Sequence, residues 1–206
     1  MDLWKYEREL YKQGIKYIAG VDEVGRGPLI GPVVAACCIL PNNFVLEGLT
    51  DSKKISEKKR EEFYEYIINN CLAYGIGKIS PKEIDKINIY EASKKAMHKA
   101  IKEVSKKIKP NHVLIDAIKL ELNIPSTAIV KGDSKSISIA AASVVAKVTR
   151  DRMMLKLDKK YPEYGFGKHK GYPTKQHIAA INKYGLIEGY RTTYGPVKII
   201  KIERAD

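Results

Sequence analysis

The chain has 206 residues, of which 44% are hydrophobic and 30% charged, with 37 Lys and Arg against 24 Asp and Glu, a formal net charge of +13. That length suits one compact domain with a sizeable core. The longest apolar stretch, Leu29 to Leu40, is broken by Gly31 and Pro32 and falls short of the ~20 residues a membrane-spanning helix needs, so no membrane association is expected.

The N-terminal Met1-Asp2-Leu3-Trp4-Lys5-Tyr6-Glu7 is charged and amphipathic, without the basic-then-apolar layout of a secretory signal, and a cytoplasmic protein is expected. Tyr17 to Asp22 and Val33 to Leu40 are short apolar runs punctuated by Gly and Pro, and they read as the first two strands. Between them stands Asp22-Glu23-Val24-Gly25-Arg26-Gly27-Pro28, two adjacent acids followed by a glycine-flanked arginine. In a basic chain such acids suggest a cation site facing a polyanion, which points to a nuclease. Cys37, Cys38 and Cys71 have neither disulfide-framework nor zinc-ligand spacing and are expected to be free thiols.

Ser56 to about Asn69 has helical spacing with its charges outward. Ser80-Pro81-Lys82-Glu83 is a capping box with proline at the first helical position, and Asn88 with Glu91 repeats the start signal before a face of Ala92, Ala96, Ala100, Ile101 and Val104. Val113 to Asp116 reads as a buried strand ending in an acid, and Thr127 to Val130 as a further strand. Ser136 to about Lys159 reads as a long helix with a stripe of small residues, Ala140, Ala141, Ser143, Val144 and Ala146, narrow enough to pack closely on a sheet. Strands separated by helical stretches imply an α/β sheet domain.

Three acids stand out by placement: Asp22 and Asp116 at strand ends, and Asp133 just before the long helix. Strand ends and helix starts converge at one edge of such a sheet. Hard divalent ions take carboxylate, water and phosphate oxygens, and two of them can act together on a phosphodiester. Asp133 also reads as a helix N-cap. Asp151 is a rival acid, but a helix running from Asp133 to Asp151 would separate the two by roughly 27 Å at 1.5 Å per residue. Asp133 is therefore preferred, and Asp151 is expected to pair with a cation on its own helix.

At this point several ordered motifs coincide. They are Gly20 to Pro28, Thr50-Asp51-Ser52-Lys53-Lys54-Ile55-Ser56, Val113 to Asp116, Lys131-Gly132-Asp133-Ser134-Lys135, Ile139 to Asp151, and Tyr164 to Tyr172. Over about Tyr17 to Val197 the chain closely resembles bacterial-type ribonuclease HII. The resemblance implies an RNase H-like mixed sheet flanked by helices, with a small helical C-terminal portion over about 160–206 of a single 1–206 domain. It implies an endonuclease that cuts RNA in RNA–DNA hybrids and at ribonucleotides embedded in duplex DNA, leaving 3′-hydroxyl and 5′-phosphate ends. By the same resemblance Asp22, Glu23, Asp116 and Asp133 are the catalytic and metal-binding acids for Mg²⁺ or Mn²⁺, two ions with substrate bound.

Glu23 poses a question, because consecutive side chains on a regular strand face opposite ways. Either the strand breaks there, or Glu23 contributes through water or its backbone carbonyl. The resemblance assigns the ribonucleotide contact to Gly25, Arg26 and Gly27, where glycine permits close backbone approach, and stacking on the adjoining deoxyribose to Tyr172. Ser52, Lys53, Ser143 and Lys147 are expected to grip phosphates, the last two sharing a helix face. His169, in the basic run Lys168-His169-Lys170, is a further possible substrate contact. Val24 departs from the alanine usual in the family, a packing difference without expected chemical effect.

A ribonuclease HIII-like enzyme is the nearest alternative, disfavoured because only about 16 residues precede the first strand. The alternative of another class is a non-catalytic basic hybrid-binding protein. The C-terminus carries no evident sliding-clamp peptide, so no protein partner and a monomer are expected.

Overall fold

The structure, a computed structural model, describes residues 2–50, 52 and 55–203, the last three by backbone alone. Lys53, expected to contact phosphate, lies outside the described residues together with Asp51 and Lys54.

Helix α1 (Lys5–Lys12) precedes strands β1 (Ile18–Val24) and β2 (Val33–Ile39). Strand β2 coincides with the run Val33 to Leu40 read from the sequence to within one residue, whereas β1 continues two residues past the end expected at Asp22. Helix α2 (Glu57–Asn70) starts where Ser56 accepts a hydrogen bond from the Lys59 N–H. Helices α3 (Pro81–Ile87) and α4 (Ile89–Ser105) start at Ser80 and Asn88, both of which cap as expected. Between α2 and α3 lies β3 (Ala73–Ile79), a strand the sequence reading did not foresee. Its run Ala-Tyr-Gly-Ile-Gly-Lys-Ile carries Tyr and two Ile but interleaves two glycines and a lysine, which weaken a strand signal, and the glycines are explained by the neighbouring helix. A Cβ on Gly77 would sit 1.9 Å from the Ala96 carbonyl oxygen of α4.

Strands β4 (His112–Asp116) and β5 (Ser126–Ile129) follow, then α5 (Ile137–Lys160). The chain ends in α6 (Phe166–His169), α7 (Lys175–Tyr184) and α8 (Gly195–Glu203), the helical C-terminal portion anticipated. The N-cap of α5 is Ser136, whose hydroxyl accepts from the Ile139 N–H, so the capping role open to Asp133 belongs elsewhere.

The five strands lie in the order β3-β2-β1-β4-β5. Strands β1 and β2, and β2 and β3, pair antiparallel, whereas β1 with β4 and β4 with β5 pair parallel. The sheet is therefore mixed. Alternation along β2 sends Val33, Ala35, Cys37 and Ile39 into the core under α4, and Ala36 and Cys38 into the core under α5 and α2. The small-residue stripe does what its narrowness allows: a Cβ on Gly20 of β1 would meet the Ser138 backbone at 2.0 Å, so sheet and helix touch main chain to main chain. Burial raises the Cys37 and Cys38 thiols well above their ordinary range, and all three cysteines are free.

A separate apolar cluster, with Leu29, Ile30, Met154, Tyr164, Phe166, Ile181 and Tyr190 among its members, joins the C-terminal helices to the end of α5 and to the loop after β1. That cluster draws the residues around 170 and 190 to the mouth of the sheet.

Candidate active site

Val21 of β1 stands opposite Ile115 of the parallel strand β4, so the next residues along, Asp22 and Asp116, come side by side. The Gly132 N–H donates to Asp116 Oδ1 at 2.6 Å, which ties the 3₁₀ turn Gly132–Ser134, and with it Asp133, to the end of β4. Sequence positions far apart thus meet at one sheet edge.

The question over Glu23 has a clear geometric answer. Strand β1 does not break, because Glu23 pairs with Ala35 and the strand continues to Val24. Even so, Glu23 and Asp22 border one cavity of about 290 Å³, shared with Ser52, Arg60, Ser143, Lys147 and Tyr172. The Glu23 side chain lies 3.5 Å from the Arg26 guanidinium, and its Oε2 is buried without a hydrogen-bond partner.

Burial drives the Asp22 carboxyl well above the usual carboxylate range, and the charges of Glu23 and Asp116 push it further, against hydrogen bonds from Ser143 and the Glu23 N–H. Burial likewise raises Glu23, to about 7, with Arg26 opposing and Asp116 reinforcing the shift. Crowded, desolvated carboxylates of this kind are stabilised by a cation. Together with the orphaned Glu23 oxygen, they fit a divalent ion held by carboxylate oxygens. Among the described residues no three His, Cys, Asp or Glu side chains are already drawn in around a metal position. Mutual repulsion gives crowded carboxylates reason to stay apart until a cation joins them.

Beside the acids lies a cationic border. Ser52 and Ser143 hydroxyls meet at 2.8 Å, and Lys147 bonds Asp151 at 2.7 Å, the pairing expected for Asp151 on its own helix. Arg60 escaped the sequence reading because it sits in the charged run Lys58 to Glu62. Its helical spacing to buried Phe63, Tyr64 and Ile67 was the available signal. Its guanidinium donates to the Ser52 carbonyl at 2.7 Å and lies 4.0 Å from Asp151.

On the opposite border, a Cβ at Gly27 would lie 3.2 Å from the ring of Tyr172, which is itself 39% exposed. The turn and the aromatic ring therefore face each other closely. His169 and Lys170 do not join this surface. His169 is buried, its Nε2 donating to the Tyr164 carbonyl and its Nδ1 accepting from the Gly171 N–H. Lys170 turns inward to the Gly167 carbonyl and Glu57. The expectation of a substrate contact by His169 is thus corrected: two of the three basic residues of that run, His169 and Lys170, are buried.

Residues 19–194 match the family model for ribonuclease HII. Ribonuclease HII of Bacillus cytotoxicus is 59% identical over 198 residues, spanning 96% of this chain and 76% of that protein. The chain belongs to the ribonuclease HII family. It is a type 2 ribonuclease H, an enzyme acting on RNA–DNA hybrids. The Bacillus mycoides member is 55% identical over the same shares of both chains. Among solved structures, ribonuclease H2 from Pyrococcus horikoshii superposes with a TM-score of 0.78 at 28% identity, covering 92% of this chain and 99% of that one. The ribonuclease HII of Archaeoglobus fulgidus, solved as a complex with PCNA, gives 0.74 at 27% identity, covering 87% and 95%. Among the described residues no helix is long and apolar enough to cross a membrane.

Proposed function

We propose that this enzyme cuts the RNA strand of hybrids and also nicks duplex DNA on the 5′ side of an embedded ribonucleotide, leaving 3′-hydroxyl and 5′-phosphate ends. The observation that carries the reading is the close facing of Gly27 and Tyr172 beside the acid pair Asp22 and Asp116. A glycine turn gives the backbone access to a ribose 2′-oxygen, the atom that distinguishes RNA from DNA. An exposed ring beside it offers a stacking face for the neighbouring sugar.

Asp22, Glu23, Asp116 and Asp133 would hold Mg²⁺ or Mn²⁺, two ions with substrate bound. Such ions supply Lewis acidity at a phosphodiester and stabilise charge on the departing oxygen. The chain's own residues do the rest. Lys147 and Arg60 bring positive charge to the cavity, and the Ser52 and Ser143 hydroxyls offer hydrogen bonds to phosphate oxygens. Arg26, paired with Glu23, is close enough to exchange that partner for a phosphate. Hydrolysis then breaks the P–O3′ bond. The water oxygen stays on phosphorus, and a proton ends on the 3′ oxygen.

The test is cleavage of a labelled DNA duplex carrying one ribonucleotide, with Mg²⁺ or Mn²⁺, against chelator, all-DNA and Asp116→Asn controls. A metal-dependent nick on the 5′ side of the ribonucleotide is expected, with at least ~100-fold loss in Asp116→Asn. Cleavage of long hybrids alone would overturn the role given to Gly27 and Tyr172. Binding without cleavage of either substrate would make the chain a hybrid-binding protein.

A further inference from the structure

Two arginines, Arg150 and Arg191, are completely buried, and their described acceptors are all neutral oxygens. A buried cation is costly unless directional bonds replace its lost water. Here those bonds converge on one loop. Arg191 donates to the carbonyls of Gly25 at 2.6 Å, Arg26 at 2.8 Å and Gly31 at 2.9 Å, and to the Tyr194 hydroxyl at 2.9 Å. Tyr194 in turn donates to the Arg26 carbonyl at 2.7 Å.

Arg150 approaches from α5 and donates to the carbonyls of Ile30 at 3.1 Å, Pro32 at 3.2 Å and Lys170 at 3.0 Å. One guanidinium therefore touches both the loop after β1 and the segment that leads into Tyr172. Its stem also fills the space a side chain at position 25 would need, since a Cβ there would lie 2.3 Å from Arg150 Nε, and Gly25 holds φ at +95°. The main chains of the two segments are laced as well, with the Leu29 N–H donating to the Gly171 carbonyl and the Arg191 N–H to the Leu29 carbonyl, each at 2.8 Å.

From this we infer that Arg191 and Arg150 are positioning residues, which hold the Gly-Arg-Gly turn against Tyr172 and so determine how a ribonucleotide is presented for cleavage. The inference rests on the substrate reading above. Its physical basis is the planar peptide. In a trans peptide the C=O and the following N–H point opposite ways, and among the described residues no peptide bond is cis. Tying the Gly25 and Arg26 carbonyls back to Arg191 turns the N–H groups of Arg26 and Gly27 the other way. Two consecutive N–H donors facing one direction suit a phosphate or ribose oxygen. The planar fork of Arg191 meets four acceptors, three carbonyls and the Tyr194 hydroxyl, where an ammonium has only three donors.

The experiment is steady-state cleavage of the single-ribonucleotide duplex and of a long hybrid by Arg191→Lys, Tyr194→Phe and the control Arg152→Lys. Arg152 lies on α5 with Arg150 but pairs with Glu61 and Glu65 at the surface, and its variant is expected to match the parent. Lysine keeps the charge but loses the fork, so kcat on the ribonucleotide duplex should fall about tenfold or more while KM stays within about threefold. Tyr172→Ala should then cost much less in the Arg191→Lys background than in the parent, because the ring has lost the turn it faces. Unchanged kcat in a folded Arg191→Lys enzyme, or an undiminished Tyr172→Ala effect, overturns the inference. If Arg191→Lys does not fold, Tyr194→Phe decides, with a lowered kcat at parental thermal stability expected. A parent enzyme that cuts only long hybrids overturns the junction reading alone, and the same comparison on the hybrid then decides the positioning role.

Discussion

Asp22, Asp116 and Asp133 were legible as candidates from their joint placement, because strand ends and helix starts converge at one edge of such a sheet, although an Asp before a helix is also an ordinary N-cap. Glu23 was identified by family resemblance alone. A regular strand argues against two adjacent side chains sharing a site, yet both border one cavity. Gly27 offers the most direct test at this scale. A Cβ there would lie 3.2 Å from the Tyr172 ring, so the ring must give way by a few tenths of an ångström. Gly27→Ala is expected to lower cleavage of the single-ribonucleotide duplex about tenfold or more, because small misplacements of reacting groups are costly. The measurement is the rate ratio between that duplex and a long hybrid. An unchanged ratio would remove Gly27 and Tyr172 from ribonucleotide recognition.

The starts of α3 and α4 were legible because capping is local chemistry, and Ser80 and Asn88 cap as read. Strand β3 was not, because its glycines answer to α4 rather than to any strand preference. Gly77→Ala would force a Cβ to 1.9 Å from the Ala96 carbonyl oxygen. A loss of at least ~3 kcal/mol in chemical denaturation is expected, since neither backbone can yield cheaply. The C-terminal elements carry a second prediction. His177 is fully buried, with its Nδ1 donating to the Tyr172 carbonyl, its Nε2 accepting from the Tyr190 hydroxyl, and its ring stacked on His169 at 4.4 Å. Burial pushes its pKa down to about 4, and the neighbouring His169 adds to the shift. The unfolded chain, with histidine near 6.5, takes up the proton first as pH falls. The stability contribution of neutral His177 is therefore complete above about pH 6.5 and is lost as pH falls toward 4. Asp22 and Glu23, whose pKa values are raised, act with the opposite sign. Urea denaturation of the parent and His177→Gln across this window separates them: the fall attributable to His177 disappears in the variant. Parallel curves would refute the neutral stack.

For the whole molecule, the net charge of +13 makes substrate capture an electrostatic event. KM for a hybrid should rise steeply with salt, log–log with a magnitude of about 0.9 per phosphate neutralised on a B-form duplex, while kcat changes little. Lys147→Ala should lower that slope by about one phosphate contact. A salt-independent KM would place binding on non-ionic contacts. The same scale divides what each level of description could decide. Sequence alone determined the starts of α2 to α5, four of the five strands and the family by its ordered motifs, and it singled out three acids by placement, because each rests on local spacing or on residue identity. Tertiary structure decided that Glu23 shares the cavity of Asp22, that Arg60 borders it, that His169 is buried, and that Arg150 and Arg191 brace the turn. In each case the deciding partner is brought close only by packing, and a charged or polar letter reads as surface until the carbonyls and rings that accept it arrive from elsewhere in the chain.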